Sequence, residues 1–457
     1  MPELEAADRP GCQEASQASG ARSQQARSYG AALGAIVGAG LVLRVLYVLL
    51  VTRHEDTKLY DAAWYEIQAL GLSQGHFFPV FFGRGPDAAH PPLTSLALAP
   101  VTYLFGLHPG ETPQRLMMAF LGALVVLFVG ILGRSVFGPR VGMLAAALAA
   151  VYPNMWIPNG IVMSETLTML MVALILLAVY RLLRSPTLPN VALVGLGCGV
   201  EMLVRAELVL LVPFLLVPAA LVCRSRPWSA RLALVAVGVL VAGVTVGPWV
   251  GRNLVSFRDT TLLSTGEGPV LAGANCPQTY FGPGLGSWSL SCSLRVPQAA
   301  DQSVESARQY EVGKRYVEHH LSRLPVVALA RVGRVWDLYE PLQMVDVDVN
   351  EGRPIPASFA GLLSYYVLLP AAVAGAAVIR RRRIRLWPFL VPAALVTFIA
   401  ITGYGQVRFR AEFEVSLVVL AAVGLDAAWS RYRRRVSALR VAKLDVISPE
   451  IVVPASR

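Results

Sequence analysis

Apolar runs of near-bilayer length, divided by short clusters of arginine, constrain this chain more than any other feature. A helix needs about 20 predominantly apolar residues to span a hydrocarbon core. Runs of roughly that kind fall at 31–51, 114–132, 141–156, 165–182, 191–204, 208–222, 232–250, 359–379, 386–402 and 414–429. Just 15% of the 457 residues are charged, against about a quarter in ordinary soluble domains. The chain therefore reads as an all-α polytopic membrane protein with about ten transmembrane helices. The first run is too long and too far from Met1 for a cleaved signal peptide.

The net charge of +11 does not point to nucleic acid, because Lys and Arg collect between the apolar runs, at 181–184, 224–231, 380–385 and 431–435. That is the positive-inside pattern. The segment 92–105 is also apolar but shorter, a length more typical of an interfacial or re-entrant helix than of a span. If it does not cross, every arginine cluster falls on one side, which places both termini in the cytoplasm. The predicted organisation is a disordered tail at 1–29 and an N-terminal transmembrane module at 30–250 that carries a first extracytoplasmic loop at 53–113. A long extracytoplasmic loop at 251–357, C-terminal helices at 358–430 and a basic tail at 431–457 follow. Of the five cysteines, Cys276 and Cys292 share the long loop, where an oxidising compartment favours their pairing.

The first loop carries the polar groups that invite a chemical reading. A helix over 59–73 places Asp61, Tyr65, Gln68 and Leu72 at i, i+4, i+7 and i+11, on one face. Its other residues, Leu59, Ala62, Ala63, Ile67 and Leu70, suit a bilayer surface. The same side of the membrane receives His90, Glu165, Arg205, Arg252, Arg408 and Arg410. Arginine there runs against the positive-inside bias, and its fork of donors suits phosphate. Simpler roles compete with these. Arg205 reads as pairing with Glu201 at i, i+4, Arg410 with a nearby glutamate, and Ser164 as the N-cap of a helix opened by Glu165. No zinc spacing, phosphate-cradling glycine loop or nucleophile elbow stands out. Outside the cytoplasm there is no nucleotide pool, so an activated donor would have to be lipid-borne.

An Asp before a Tyr-containing loop helix, then Gly75 and Phe78, then His90-Pro91-Pro92-Leu93, resemble the GT-C membrane glycosyltransferases. Gln114-Arg115-Leu116, Tyr152-Pro153, Met163-Ser164-Glu165, Arg205-Ala206-Glu207, Pro248-Trp249 and Arg252-Asn253 continue the resemblance. Ser264-Thr265-Gly266, Tyr404-Gly405 and Arg408-Phe409-Arg410 complete it, over about residues 30–430. The branch it resembles is the protein O-mannosyltransferase/aminoarabinose-transferase type (glycosyltransferase family 39-like), in its actinobacterial form.

The resemblance implies an inverting transferase in the cell membrane, its active site on the extracytoplasmic side. It would use a polyprenyl-phosphate sugar donor and an unknown acceptor: a protein, a lipid or a polysaccharide. Asp61 falls at the position of the base, with Asp56 the alternative. Arg408, Arg410 and Arg252 would face the donor phosphate, and Tyr65, His90, Glu165 and Arg205 would position substrate. No cofactor is demanded, although a divalent cation is compatible with relatives of this type. The competing classes are a transporter or flippase for a lipid-linked solute and a lipid-linked glycan polymerase or ligase. A transporter would carry midplane charges, broken helices and repeats, whereas this chain gathers its polar groups at one face.

Overall fold

The computed structural model describes residues 10–53, 60–80, 85–107 and 111–447. Among them all regular structure is helical, and the nearest approach to a strand is an isolated bridge between Pro79 and Pro86. Helices satisfy their backbone polar groups internally, which a lipid environment demands. Five helices are long and apolar enough to cross a membrane: Arg27–Thr52, Thr112–Phe137, Glu165–Arg184, Trp228–Ser256 and Ile355–Arg381. A sixth results if Pro139–Val151 and Pro153–Gly160 are joined across their 74° bend. Leu93–Phe105, Leu188–Met202, Ala206–Leu221 and Trp387–Thr402 are apolar but shorter. The all-helical, multi-pass architecture is as the sequence indicates, with five or six helices, not ten, meeting the length requirement. Tail and span are not separated by a helix break at residue 29, since one helix runs Pro10–Tyr47 into a π-turn at Val48–Thr52.

The bend after Val151 has a local cause. A residue before proline is pushed out of the α region, and Tyr152, before Pro153, has φ −68° and ψ 118°. Carbonyls at the broken helix end then need donors. Arg44, fully buried in the first span, supplies them, donating to Ala149 O at 3.0 Å and Ala150 O at 3.1 Å. The arginine that interrupts the first apolar run thus faces protein and pins that span to the bend.

The helix Ala411–Ile447 is the axis of the bundle. Phe413 and the run Val415–Val423 are buried on all sides, as expected of a helix apolar all round. It packs against Ile355–Arg381, Pro139–Val151, Glu165–Arg184 and Trp387–Thr402. Gly375 and Gly424 let two of these backbones meet, for a Cβ on either would strike the main chain of the other helix. Small residues at such crossings are what lipid-embedded helices use to approach closely.

The long loop folds as a helical layer containing Glu267–Ala274, Gln302–His319, Leu324–Val335 and Pro341–Asn350. Asp301 caps the second of these, accepting from Ser303 N at 2.9 Å. Next to it, Gln302 Oε1 accepts from Ala88 N at 3.1 Å and Thr265 Oγ1 at 3.3 Å. The layer is thereby docked onto the first loop. Cys276 and Cys292 are joined by a disulfide within it.

Candidate active site

The first-loop helix runs Tyr60–Ser73, with Asp61 in its first turn. Trp64, Tyr65, Gln68 and Ala69 are buried, so this helix is held by side chains on its inner face. Gln68 Nε2 donates to Pro79 O at 2.8 Å, tying the helix to the chain that follows it. On the same helix Glu66 is buried, and burial together with neighbouring Glu111 pushes its carboxyl up to about 11. Arg115 lies 3.4 Å from Glu111 and donates to the Thr52 carbonyl, which links the loop to the end of the first span.

His90 and Tyr65 stand with Asp61. The His90 ring lies 5.1 Å from that of Tyr65 and 5.0 Å from that of Trp64, and its Nε2 is 3.5 Å from Asp61 Oδ1. From the other end of the sequence, Arg408 Nη1 donates to Asp61 Oδ2 at 2.7 Å, across 347 positions. Arg408 belongs to the 3-10 turn Val407–Arg410 that leads into the axial helix. Phe409 is buried in the core beside it, while Arg408 keeps 14% of its side chain exposed. Its Nη2 donates to the Tyr404 hydroxyl at 3.1 Å, and its Nε lies 3.6 Å from Glu351 Oε1. Burial alone would raise the Asp61 pKa, but Arg408 and His90 together hold it well below the usual carboxylate range.

Glu351 and Arg353 were not singled out by the sequence reading. They follow the helix Pro341–Asn350, on a turn where Gly352 has φ +82°. Glu351 accepts from the Gln406 amide and lies 3.7 Å from Arg353, which also meets Asp348 at 3.4 Å. Burial pushes the Glu351 carboxyl up to about 7, against the pull of Arg408 and Arg353. The available signal was two opposite charges one residue apart immediately before an apolar run, with no periodicity to give them a face.

The other expected residues have different surroundings. Arg410 is 1% exposed and held by Asp337 at 2.7 Å and Glu414 at 2.8 Å, with Tyr365 stacked 3.7 Å away. The nearby glutamate expected for it is Glu414, and its guanidinium is enclosed. Arg252 donates to Asp87 O at 2.9 Å and Phe78 O at 3.2 Å and lies over Trp249. It clamps both ends of a loop in which buried Phe78 adopts φ +50°, a conformation non-glycine residues rarely hold without support.

Arg205 does not pair with Glu201 through its side chain. The helix Leu188–Met202 ends first, Arg205 is extended at φ −142°, and its partners are Glu207 at 2.8 Å and Glu412 at 3.9 Å. Ser164 makes no side-chain cap bond, and its hydroxyl lies beside Tyr65. Glu165, in the first turn after it, is 2% exposed. The rival base Asp56 lies outside the described residues.

Taken together, a partly exposed carboxylate, an arginine fork, an imidazole and two phenols converge from three separate parts of the chain. Such a set can accept a proton and stabilise a developing phosphate charge. Among the described residues no three His, Cys, Asp or Glu side chains are arranged to hold a metal ion.

A family model described as dolichyl-phosphate-mannose-protein mannosyltransferase matches residues 89–250. No curated protein matches the sequence. Among solved structures, the fold is similar to the apo oligosaccharyltransferase of Archaeoglobus fulgidus, with a TM-score of 0.51 at 16% identity over 90% of this chain and 52% of that one. It is also similar to the same organism's oligosaccharyltransferase AglB in complex with an inhibitory peptide and a dolichol-phosphate. There the TM-score is 0.53, at 15% identity over 93% of this chain and 54% of that one. The chain thus spans about half the length of these relatives. The family match covers residues 89–250, about a third of the chain, and the fold over nearly the whole chain is similar to that of these membrane oligosaccharyltransferases.

Proposed function

We propose that this protein is an inverting glycosyltransferase that moves a sugar from a polyprenyl-phosphate donor to an acceptor hydroxyl at the extracytoplasmic face. The observation that carries the proposal is the Asp61–Arg408 contact at 2.7 Å, with His90, Tyr65 and Tyr404 around it. Asp61 takes the proton of the acceptor hydroxyl, and that oxygen attacks the anomeric carbon. The bond from anomeric carbon to phosphate oxygen breaks, and its electron pair leaves with the polyprenyl phosphate. Arg408 neutralises the departing phosphate. His90 and Tyr65 orient Asp61, and Glu165 and Arg205 build the wall behind them. Arg252 shapes the loop and Arg410 anchors the axial helix, so neither meets phosphate in this reading.

The proposed topology counts the four shorter apolar segments by function. Leu188–Met202, Ala206–Leu221 and Trp387–Thr402 cross, as do the bent pair and the axial helix, which gives ten spans with the five that meet the length and hydropathy requirement. Leu93–Phe105 stays at the interface, packed on the first-loop helix. Both termini are then cytoplasmic, and Asp61 is outside.

The test is transfer of radiolabelled sugar in membranes offered a panel of polyprenyl-phosphate donors or the matching nucleotide sugars. Transfer from a lipid-phosphate donor alone is expected. Transfer from nucleotide sugars with lipid donors absent, or none from any lipid donor, contradicts the reading. Alkylation of single-cysteine variants in intact cells checks the topology, where a residue-61 cysteine reachable only from the cytoplasm would overturn it.

A further inference from the structure

The same arginine is asked to do two things that conflict if they are simultaneous. While Arg408 Nη1 holds Asp61 Oδ2 at 2.7 Å, the carboxylate is a weak base and one edge of the guanidinium is occupied. Both roles are met if they occur in sequence. We propose that the Asp61–Arg408 ion pair is a latch opened by the donor's phosphate, which takes the Nη1/Nη2 edge of Arg408 and releases Asp61 to receive the acceptor proton. This rests on the function proposed above and adds an order to it, donor before acceptor.

Three observations support the latch. First, the pair is reachable, with Asp61 28% and Arg408 14% exposed, whereas the otherwise similar Arg410–Asp337 pair is closed at 1% and 4%. Second, Arg408 has capacity left. Nη1 and Nη2 carry two hydrogens each and donate one bond apiece, to Asp61 and to Tyr404, while the buried Nε faces Glu351 at 3.6 Å. The donor's phosphodiester offers two non-bridging oxygens to such a fork and forms stronger, bidentate bonds than a phenol does. Third, the guanidinium stays in place when Asp61 leaves. Tyr404 holds Nη2 at 3.1 Å, and Glu351 is itself fixed by the Gln406 amide and Arg353. Tyr404 is an uncharged partner, and Glu351, shifted upward by burial, is a partly protonated one near neutral pH. Neither cancels the positive charge that phosphate needs. Glu351 is on this view a positioning residue for Arg408.

The experiment measures carbodiimide labelling of Asp61 in the purified full chain at mildly acidic pH, with the labelled peptide quantified by mass spectrometry. Carbodiimide reacts with the protonated carboxyl, so the empty protein should label weakly at Asp61. Polyprenyl phosphate should raise the labelling by at least about tenfold, the equivalent of one pKa unit. Phosphate-free polyprenol should leave it at the empty level. A rise with inorganic phosphate alone assigns the trigger to phosphate charge, and a rise with the lipid alone assigns it to the headgroup delivered by its chain. Arg408→Gln should label without any ligand. As an independent measure, Asp61→Asn should bind polyprenyl phosphate more tightly than the wild type, since the competitor for Arg408 is gone. Strong labelling of the empty protein overturns the latch, as does lipid binding that leaves both labelling and the Asp61→Asn affinity unchanged. Active transfer with unchanged labelling removes the latch and keeps the enzyme, whereas a working latch without transfer does the reverse.

Discussion

Arg408 and Arg410 each make a 2.7 Å bond to an aspartate, two positions apart in the chain, and the surroundings give them opposite roles. Arg410 is sealed against Asp337, Glu414 and Tyr365. Removing one member of a buried charge pair leaves the others uncompensated and costs about 3–5 kcal/mol. Arg410→Met should therefore lower the thermal midpoint strongly in detergent, while Arg408→Gln should unfold near the wild-type temperature yet lose transfer. Glu351 supplies a pH signature. Its folded pKa, about 7, lies above the ordinary 4.5 because burial disfavours the charged form. The folded state then holds more protons than the unfolded one, and stability falls as pH rises from about 4.5 to about 7. Glu351→Gln stays neutral and should gain thermal midpoint over the wild type across that window, with little difference below it. A constant offset at all pH values would refute this origin.

Helices were legible from the sequence because apolar runs and helical spacing are local, and the tertiary partners of charged side chains were not. The expectation of a nearby glutamate for Arg410 is met by Glu414, one helical turn on along continuous helical backbone. The i, i+4 pairing expected of Arg205 and Glu201 fails because the helix stops at Met202. Ser164 has the composition of a cap, yet its side chain makes no cap bond and lies beside Tyr65 of another element. Asp61, Tyr65 and His90 were findable from one loop and a family resemblance. Glu351 and Arg353 were not, because their meaning depends on where a hundred-residue loop folds back. That loop carries its own prediction. The Cys276–Cys292 bond closes a segment of sequence separation 16, and closing a loop near that size contributes about 3 kcal/mol in the chain-entropy model. Reductant, or Cys276→Ser, should speed proteolysis within 251–357 while the membrane helices stay protected. Equal cleavage rates with and without reductant would refute that contribution.

At the scale of the whole molecule, a helical bundle carries the proposed catalytic groups on one rim. The axial helix is buried along its upper half, and its leading turn carries Arg408 to the site. Ile355–Arg381 follows directly on the Glu351–Arg353 turn, and the first span leads into the loop that bears Asp61. Asp61, Glu351 and Arg408, far apart in sequence, meet beside the ends of these helices, and this convergence supports a catalytic rim more than a transport path through the bundle.

The central claim is that Asp61 is the base of a lipid-phosphate-dependent sugar transfer. The most direct measurement compares transfer of radiolabelled sugar from polyprenyl-phosphate donors by the wild type, Asp61→Asn and Asp56→Asn, at matched expression in membranes. The account predicts a loss of about 10²- to 10⁴-fold in Asp61→Asn, the range for a lost general base, with Asp56→Asn close to the wild type. Full transfer by Asp61→Asn, or loss confined to Asp56→Asn, would contradict it.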